Sequence, residues 1–282
     1  MKNKKETPLE QGEQKVARRD LLKVGGALLG AAGLAQFFSL SSLAVRSKSE
    51  GHESNGPKWG MLIDINKCIG CSYCTYACQA VNNLADDMLY NVVTTETTQS
   101  GEEFFLSRPC MQCEEAPCVH VCPVGATYYR PDGIVAMDYT LCIGCRYCQV
   151  ACPYNARVFN WRDPIEANSS PKAPDFGMQE VENRPRGVVE KCHFCSHRID
   201  YGVERGLIPG VDEPATPACV VACPTGARVF GDLTDSTSPI SMAQVEASVT
   251  LRLREELSTE PRVYYVSPVA ESEAPFIQNV GR

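Results

Sequence analysis

Cys142-Ile143-Gly144-Cys145-Arg146-Tyr147-Cys148-Gln149-Val150-Ala151-Cys152-Pro153 is the stretch from which the rest of the chain can be read. Three cysteines stand at x2-x2 spacing, a fourth follows after three more residues, and a proline stands behind it. A backbone wound this tightly brings three thiolates around one small volume. The proline stops the helical turn carrying the fourth, which is then free to serve a neighbouring volume. The pattern Cys-Ile-Gly-Cys-x-Tyr-Cys-x-x-Ala-Cys occurs a second time at 68–78.

The 282 residues contain sixteen cysteines, and all of them fall in four groups of four. These are Cys68-Cys71-Cys74-Cys78, Cys110-Cys113-Cys118-Cys122, Cys142-Cys145-Cys148-Cys152 and Cys192-Cys195 with Cys219-Cys223. Four thiolates per group is the ligand demand of a [4Fe–4S] cubane, so four such clusters are expected. Disulfides do not require repeated x2-x2-x3 spacing ending in proline. Structural zinc takes four thiolates too, but draws them from two separated knuckles rather than one run. A net charge of −7 argues against a nucleic-acid partner.

Three groups share a second element. Cys122, Cys152 and Cys223 are each followed by proline, then a Gly or Asn suited to a tight bend, then an apolar pair that opens an extended segment. With the Asp132-Gly133 turn and a short strand at Ile134–Asp138, groups two and three have the layout of one two-cluster ferredoxin. The fourth-ligand rule assigns Cys110, Cys113, Cys118 and Cys152 to one cubane and Cys142, Cys145, Cys148 and Cys122 to its partner. By the same symmetry Cys68, Cys71, Cys74 and Cys223 form a third set, and Cys192, Cys195, Cys219 and Cys78 a fourth.

The expected fold is α+β, with two ferredoxin-like two-cluster modules, one inserted in the other, irregular loops and a C-terminal helix. The inner module spans 104–161 and the outer one 58–103 plus 185–232. Residues 162–184 are a linker and 233–282 a helix and tail. Trp59–Ile65 reads as a strand, and Val92–Thr98 with Glu103–Leu106 as a hairpin. Met242, Val245, Val249, Leu253 and Leu257 recur at helical spacing, and the stretch from Pro261 is an extended tail against the body or a neighbour.

The first 44 residues read as an export signal. Arg18-Arg19 precede Leu21-Leu22 and an uncharged, Gly- and Ala-rich run from Val24 to Val45, the pattern of a twin-arginine leader. Ala17 and Leu21 stand where Ser or Thr and Phe are common in such leaders. Ser42-Leu43-Ala44 sets cleavage after Ala44. Cubanes are assembled in a reducing cytoplasm, so a route that carries folded cargo suits the clusters. An uncleaved anchor is the alternative, because 22 uncharged residues can span a bilayer. Either way the clusters lie in the periplasm or on the outer face of the cytoplasmic membrane. No second apolar segment of spanning length follows, which leaves membrane work to another subunit.

The motifs Ile63-Asp64-Ile65-Asn66-Lys67-Cys68, Arg157-Val158-Phe159-Asn160-Trp161-Arg162-Asp163-Pro164, Gly187-Val188-Val189-Glu190-Lys191-Cys192 and Gly231-Asp232-Leu233-Thr234-Asp235 resemble the four-cluster ferredoxin subunits of the DMSO, polysulfide and tetrathionate reductase family. The stretch Asn160–Pro164 and the leader are most similar to the exported iron–sulfur subunit of the membrane complex associated with dissimilatory sulfite reductase. The resemblance implies an electron-transfer subunit of an anaerobic respiratory complex. Its partners would be an integral membrane, quinone-interacting subunit and either a molybdopterin catalytic subunit or a cytochrome. A periplasmic molybdopterin oxidoreductase such as tetrathionate or polysulfide reductase is the alternative setting. Relatives with tryptophan in place of one group-three cysteine carry a [3Fe–4S] centre, and here that group is complete.

A stand-alone reductase would need a cubane with an open iron, and the full thiolate count disfavours it. No nucleophile elbow, phosphate loop or dinucleotide fingerprint accompanies the clusters, so no catalytic residue is expected. His52, His120, His193 and His197 are read as surface or supporting residues. Lys67, Lys191 and Arg146 stand beside cluster cysteines, where a cation raises a cluster's potential unless it points to solvent; Glu114 and Glu115 would act oppositely.

Overall fold

The computed structural model describes residues 56–98, 100–162, 181–247 and 249–266. The leader, the greater part of the 162–184 linker and the end of the tail lie outside these residues. Each cysteine group is entered from a strand and left through a strand, and the pairing of those strands organises the chain. Strand β1 (Trp59–Asp64) enters group one, whose third and fourth cysteines lie on helix α1 (Tyr73–Val81). Strands β2 (Val92–Thr97) and β3 (Glu103–Arg108) form the expected hairpin, Val92 opposite Arg108 and Thr97 opposite Glu103, and β3 enters group two.

Group two closes on the short helix α2 (Pro117–His120) and leaves through β4 (Thr127–Tyr129). Strand β5 (Val135–Met137) pairs back onto β4 and enters group three, whose helix α3 (Tyr147–Ala151) is followed by β6 (Arg157–Phe159). Strand β7 (Val189–Lys191) pairs with β6 and enters group four. Helix α4 (Ser196–Val203) starts from a Cys195 cap, helix α5 (Ala218–Val221) carries Cys219, and β8 (Arg228–Asp232) leaves the group to pair with β1. The strand entering each group therefore pairs with the strand leaving the group before it, and the cycle closes from group four to group one.

The closing pair sits in a four-stranded sheet of order β8-β1-β10-β9, with β9 (Thr250–Leu251) and β10 (Val263–Val266). The stretch after Pro261 is thus a central strand parallel to β1, with Tyr265 fully buried, and it lies against the body. Five consecutive residues of β1 are buried because both faces are covered. Met61 and Ile63 join the main core, while Leu62 packs with Ile240 and Val266 on the other side. Each such side chain contributes about 1.5–3 kcal/mol. Phe230 lies between Trp59 and Phe194, at ring distances of 5.8 and 5.4 Å.

The long late helix is a correction. Helix α6 (Pro239–Glu246) starts from a Ser238 cap and stops before Ala247, and the chain then turns extended to form β9. Pairing with β10 wins over helical spacing here. The buried residues of the segment are Ile240, Leu251 and Leu253, whereas Met242, Val245 and Leu257 are exposed. Among the described residues no helix is long and apolar enough to cross a membrane.

Candidate metal centres

In the first Cys-x-x-Cys of each group the residue before the second cysteine is left-handed. Gly70 and Gly144 take this place in groups one and three (φ +70° and +68°), Gln112 and Phe194 in groups two and four (φ 48° and 54°). The turn folds both thiols to one side. Glycine takes this conformation freely, but Gln112 and Phe194 need outside support. Gln112 donates from Nε2 to the Cys192 carbonyl at 2.7 Å and accepts from Val135 N at 2.8 Å, and Phe194 is held in the core.

The cysteine-proline turns aim backbone donors at sulfur. Burial alone would raise the Cys122 thiol, but N–H groups of Thr127, Val124 and Ala126 hold it below the usual thiol value. Cys223 is lowered against the same burial by the Thr225 hydroxyl and by N–H groups of Ala227, Thr225 and Arg228. At Cys152 burial wins and pushes the thiol up to about 11, against donors from Ala156 and Tyr154. Donors recur two and four residues past each of these cysteines, and also five past Cys122 and Cys223.

Two cavities are each bordered by four cysteines. Cys68, Cys71, Cys74 and Cys223 line one, together with Arg228. Cys110, Cys113, Cys118 and Cys152 line the other, together with Arg157. A third set is Cys78, Cys192, Cys195 and Cys219; burial raises Cys78 well above the usual range and the other three raise it further. Asn82 spans this set, its Nδ2 lying 3.5 Å from Cys78 Sγ and 3.6 Å from Cys195 Sγ. In the fourth set, Cys148 is raised by burial and interacts with Cys122 and Cys142, while Cys145 stands exposed on the same loop.

Among the described residues no His, Cys, Asp or Glu trio is arranged for a single metal ion. In the two cavities the sulfurs border open volume, as a polynuclear cluster requires. A second observation fits an anionic group in the sockets. Arg157 is 2 % exposed, and its Nε and Nη2 have no hydrogen-bond partner among the described residues. A buried cation in that state calls for negative charge beside it.

The sets are neighbours in a fixed order. Arg157 interacts with Cys118 and Cys110 on one side and with Cys148 on the other. Cys192 interacts with Cys110, linking the second cavity to the Asn82 set. Cys219 interacts with Cys74, linking that set to the first cavity. Traced through these charge interactions, the sets run Cys142/145/148/122, Cys110/113/118/152, Cys192/195/219/78, Cys68/71/74/223. Only the two end sockets hold an exposed cysteine, Cys145 and Cys71. Around them Ile143, Tyr147 and Val150 at one end match Ile69, Tyr73 and Tyr76 at the other, all exposed.

The other residues singled out in the sequence fall as follows. Lys191 is fully buried between sockets, whereas Lys67 is at the surface with Asp64 at 3.3 Å. Arg146 lies over the Phe159 and Trp161 rings. Glu114 faces Lys58 and Glu115 faces His120. His193 lies beside Tyr139 at 3.3 Å, His197 is half-buried on α4, neither lines the two cysteine cavities, and His52 is outside the described residues. Sequence reading missed Asn82, Asn91 and Ser107, which face sulfur across long separations, and Gln112. It also assigned no charge role to Arg157 and Arg228. Their signal was present: both follow the fourth cysteine of their repeat by five residues.

Comparison with known proteins points to the same class of cofactor. A 4Fe-4S dicluster domain matches residues 101–168, a second 4Fe-4S dicluster domain matches 141–227, and a 4Fe-4S binding domain matches 59–80. The menaquinone reductase iron–sulfur cluster-binding subunit of Nitratidesulfovibrio vulgaris is 41% identical over 232 residues, covering 74% of this chain and 89% of the relative. The chain is a member of the iron–sulfur subunit family of these reductase complexes. Other members are a selenate reductase subunit of Mesobacillus selenatarsenatis, 42% identical over 76% of this chain and 73% of its own length, and a polysulfide reductase subunit of Wolinella succinogenes, 37% identical over 74% and 94%. As a family member, the chain is an electron-transfer subunit, and its cysteines fit four [4Fe–4S] clusters.

Proposed function

We propose that the chain is a linear four-cluster relay, with the ligand sets Cys142/145/148/122, Cys110/113/118/152, Cys192/195/219/78 and Cys68/71/74/223 in that order. The observation that carries this reading is the contiguous run of sockets with exposed cysteines only at its two ends. Bound [4Fe–4S] clusters supply one-electron carriers. The protein's own residues do the rest. Sixteen thiolates hold the carriers, and N–H donors of the cysteine-proline turns and Asn82 stabilise charge on sulfur, which raises potential. The core excludes water from the two inner sockets, leaving the end sockets as entry and exit. Pairing of groups two and three, and of one and four, makes 104–161 an inner module set within 58–103 plus 185–232.

The two apolar ends are docking faces for redox partners. By analogy with the relatives, one partner is a quinone-interacting membrane subunit and the other a molybdopterin catalytic subunit or a cytochrome, in an anaerobic respiratory complex acting on sulfur compounds. The Arg18-Arg19 leader supports export of the folded protein to the periplasm or the outer face of the membrane. Anaerobic purification with iron and sulfide analysis and an EPR-monitored redox titration tests the core of the reading. About sixteen irons and four one-electron steps are expected; zinc or a colourless protein would refute it. The identity of the co-purifying subunit distinguishes the sulfite-linked setting from a tetrathionate or polysulfide one, and cell fractionation tests the location.

A further inference from the structure

Three cations are buried among the sockets, and each stands at a different junction. Arg157 lines the Cys110/113/118/152 cavity and interacts with Cys148; Lys191 donates to the Cys192 carbonyl and to Val135, which lines that same cavity; Arg228 lines the Cys68/71/74/223 cavity and interacts with Cys219. Their exposures are 2 %, 0 % and 5 %. Among the described residues none forms an ion pair with a carboxylate. Glu190, the buried acid beside Lys191, is held instead by Arg184, Tyr90 and Asn160.

Neutral groups fix the three in place. Arg228 donates to Asn91, Ser107 and Met61 Sδ, Arg157 to Thr127 and Met137 Sδ, and Lys191 to the carbonyls of Val135 and Cys192. For the two lysines, burial does not follow the motif. Lys67 occupies the place before group one that Lys191 occupies before group four, yet Lys67 borders an end socket and is largely exposed.

We propose that Arg157, Lys191 and Arg228 are positioning charges shared by consecutive clusters, one at each of the three junctions, that raise the potentials of both flanking clusters together. The proposal rests on the four-socket reading above. Transfer across a junction moves one electron from one cluster to the next, with no proton or bond exchanged. Each reduction adds a negative charge to an anionic cluster, and a cation between two clusters stabilises that charge on either side. The step across the junction is thereby kept level, while both carriers become easier to reduce. Arginine at the outer two junctions holds its charge at any working pH.

The test is an EPR-monitored redox titration of the anaerobically purified holoprotein. C71S and C145S assign the signals of the two end clusters. In R157Q the ratio of reduced to oxidised Cys145-end cluster at fixed poise is expected to fall about tenfold, ~59 mV for one electron, with the Cys71-end cluster unmoved. In R228Q the two responses exchange. R157K and R228K, which keep the charge, restore both potentials to within about twofold of wild type, which also separates charge from packing should a glutamine variant bind less iron.

The proposal is overturned if R157Q leaves the Cys145-end cluster unmoved, if it shifts all four clusters alike, or if the lysine variants shift as far as the glutamine ones. A wild-type protein that lacks four one-electron steps or about sixteen irons instead refutes the four-socket reading itself.

Discussion

Asn82 and Cys195 meet across 113 positions of sequence: the Asn82 amide donates to the Cys195 sulfur at 3.6 Å while the same nitrogen lies 3.5 Å from Cys78 Sγ. One side chain thus ties the last cysteine of group one to the second of group four. Helices α1 and α5, which carry Cys78 and Cys219, pack together at the same place.

This contact gives a direct check on the crossed ligand sets. In C78A/C195A both lost thiolates belong to one socket, so one cluster signal disappears and three persist. In C74A/C195A each loss falls in a different socket, and two signals change. EPR of the reduced proteins reads the difference, and two altered signals in C78A/C195A would refute the crossing.

Gly144 packs against Gly187. A Cβ at Gly144 would lie 2.1 Å from the Gly187 carbonyl oxygen, and its φ of +68° already disfavours alanine. At the equivalent Gly70 the obstacle is the Phe105 ring at 2.5 Å, a side chain that can turn aside. The left-handed backbone costs roughly 1–2 kcal/mol in either variant. G144A is expected to lose more stability and more iron than G70A, by thermal unfolding and iron analysis under anaerobic conditions.

Glu190 is the hub of a buried network. It accepts from Tyr90 at 2.6 Å, from Arg184 at 2.8 Å and from Asn160 at 3.3 Å. Removing the acid strands the Arg184 guanidinium in the interior. E190Q should therefore cost about 3–5 kcal/mol, and the paired R184M/E190L change much less. Denaturant unfolding of both variants provides the comparison.

The histidines give stability a pH dependence. Burial holds His193 well below the usual imidazole range, and the Lys191, Arg184 and Arg157 cations hold it lower still. Burial lowers His197 as well. The unfolded chain takes up these protons below about pH 6.5 and the folded one resists them, so their share of stability is present above that pH and falls as pH drops. H193Q should show a flatter decline in Tm between about pH 7 and about pH 5.5, measured anaerobically. A slope equal to wild type would remove His193 from the effect.

The cysteine pattern was legible because the turns that carry it are local. The Cys-x-x-Cys turns and the cysteine-proline turns are set by a few consecutive residues, and the strands at Trp59, Val92 and Glu103 are announced by their own composition. The late helix was misread for the opposite reason. Val249, Leu253 and Leu257 keep helical spacing, but Thr250–Leu251 find a better partner in β10. Asn82 facing Cys195, and Arg228 facing Asn91 and Ser107, depend on separations above one hundred residues, which no local pattern encodes.

The sequence by itself determined the number of thiolates, their grouping in fours along the chain and the class of cofactor they fit, because short repeated spacings let a tight wrap present several thiols together. Only the tertiary structure brought Cys223 to Cys68 and Cys152 to Cys110, and buried Arg157, Lys191 and Arg228 among cysteines. Those properties belong to the interior, where strands distant in the chain pair and where a charge is tolerated only beside an opposite one.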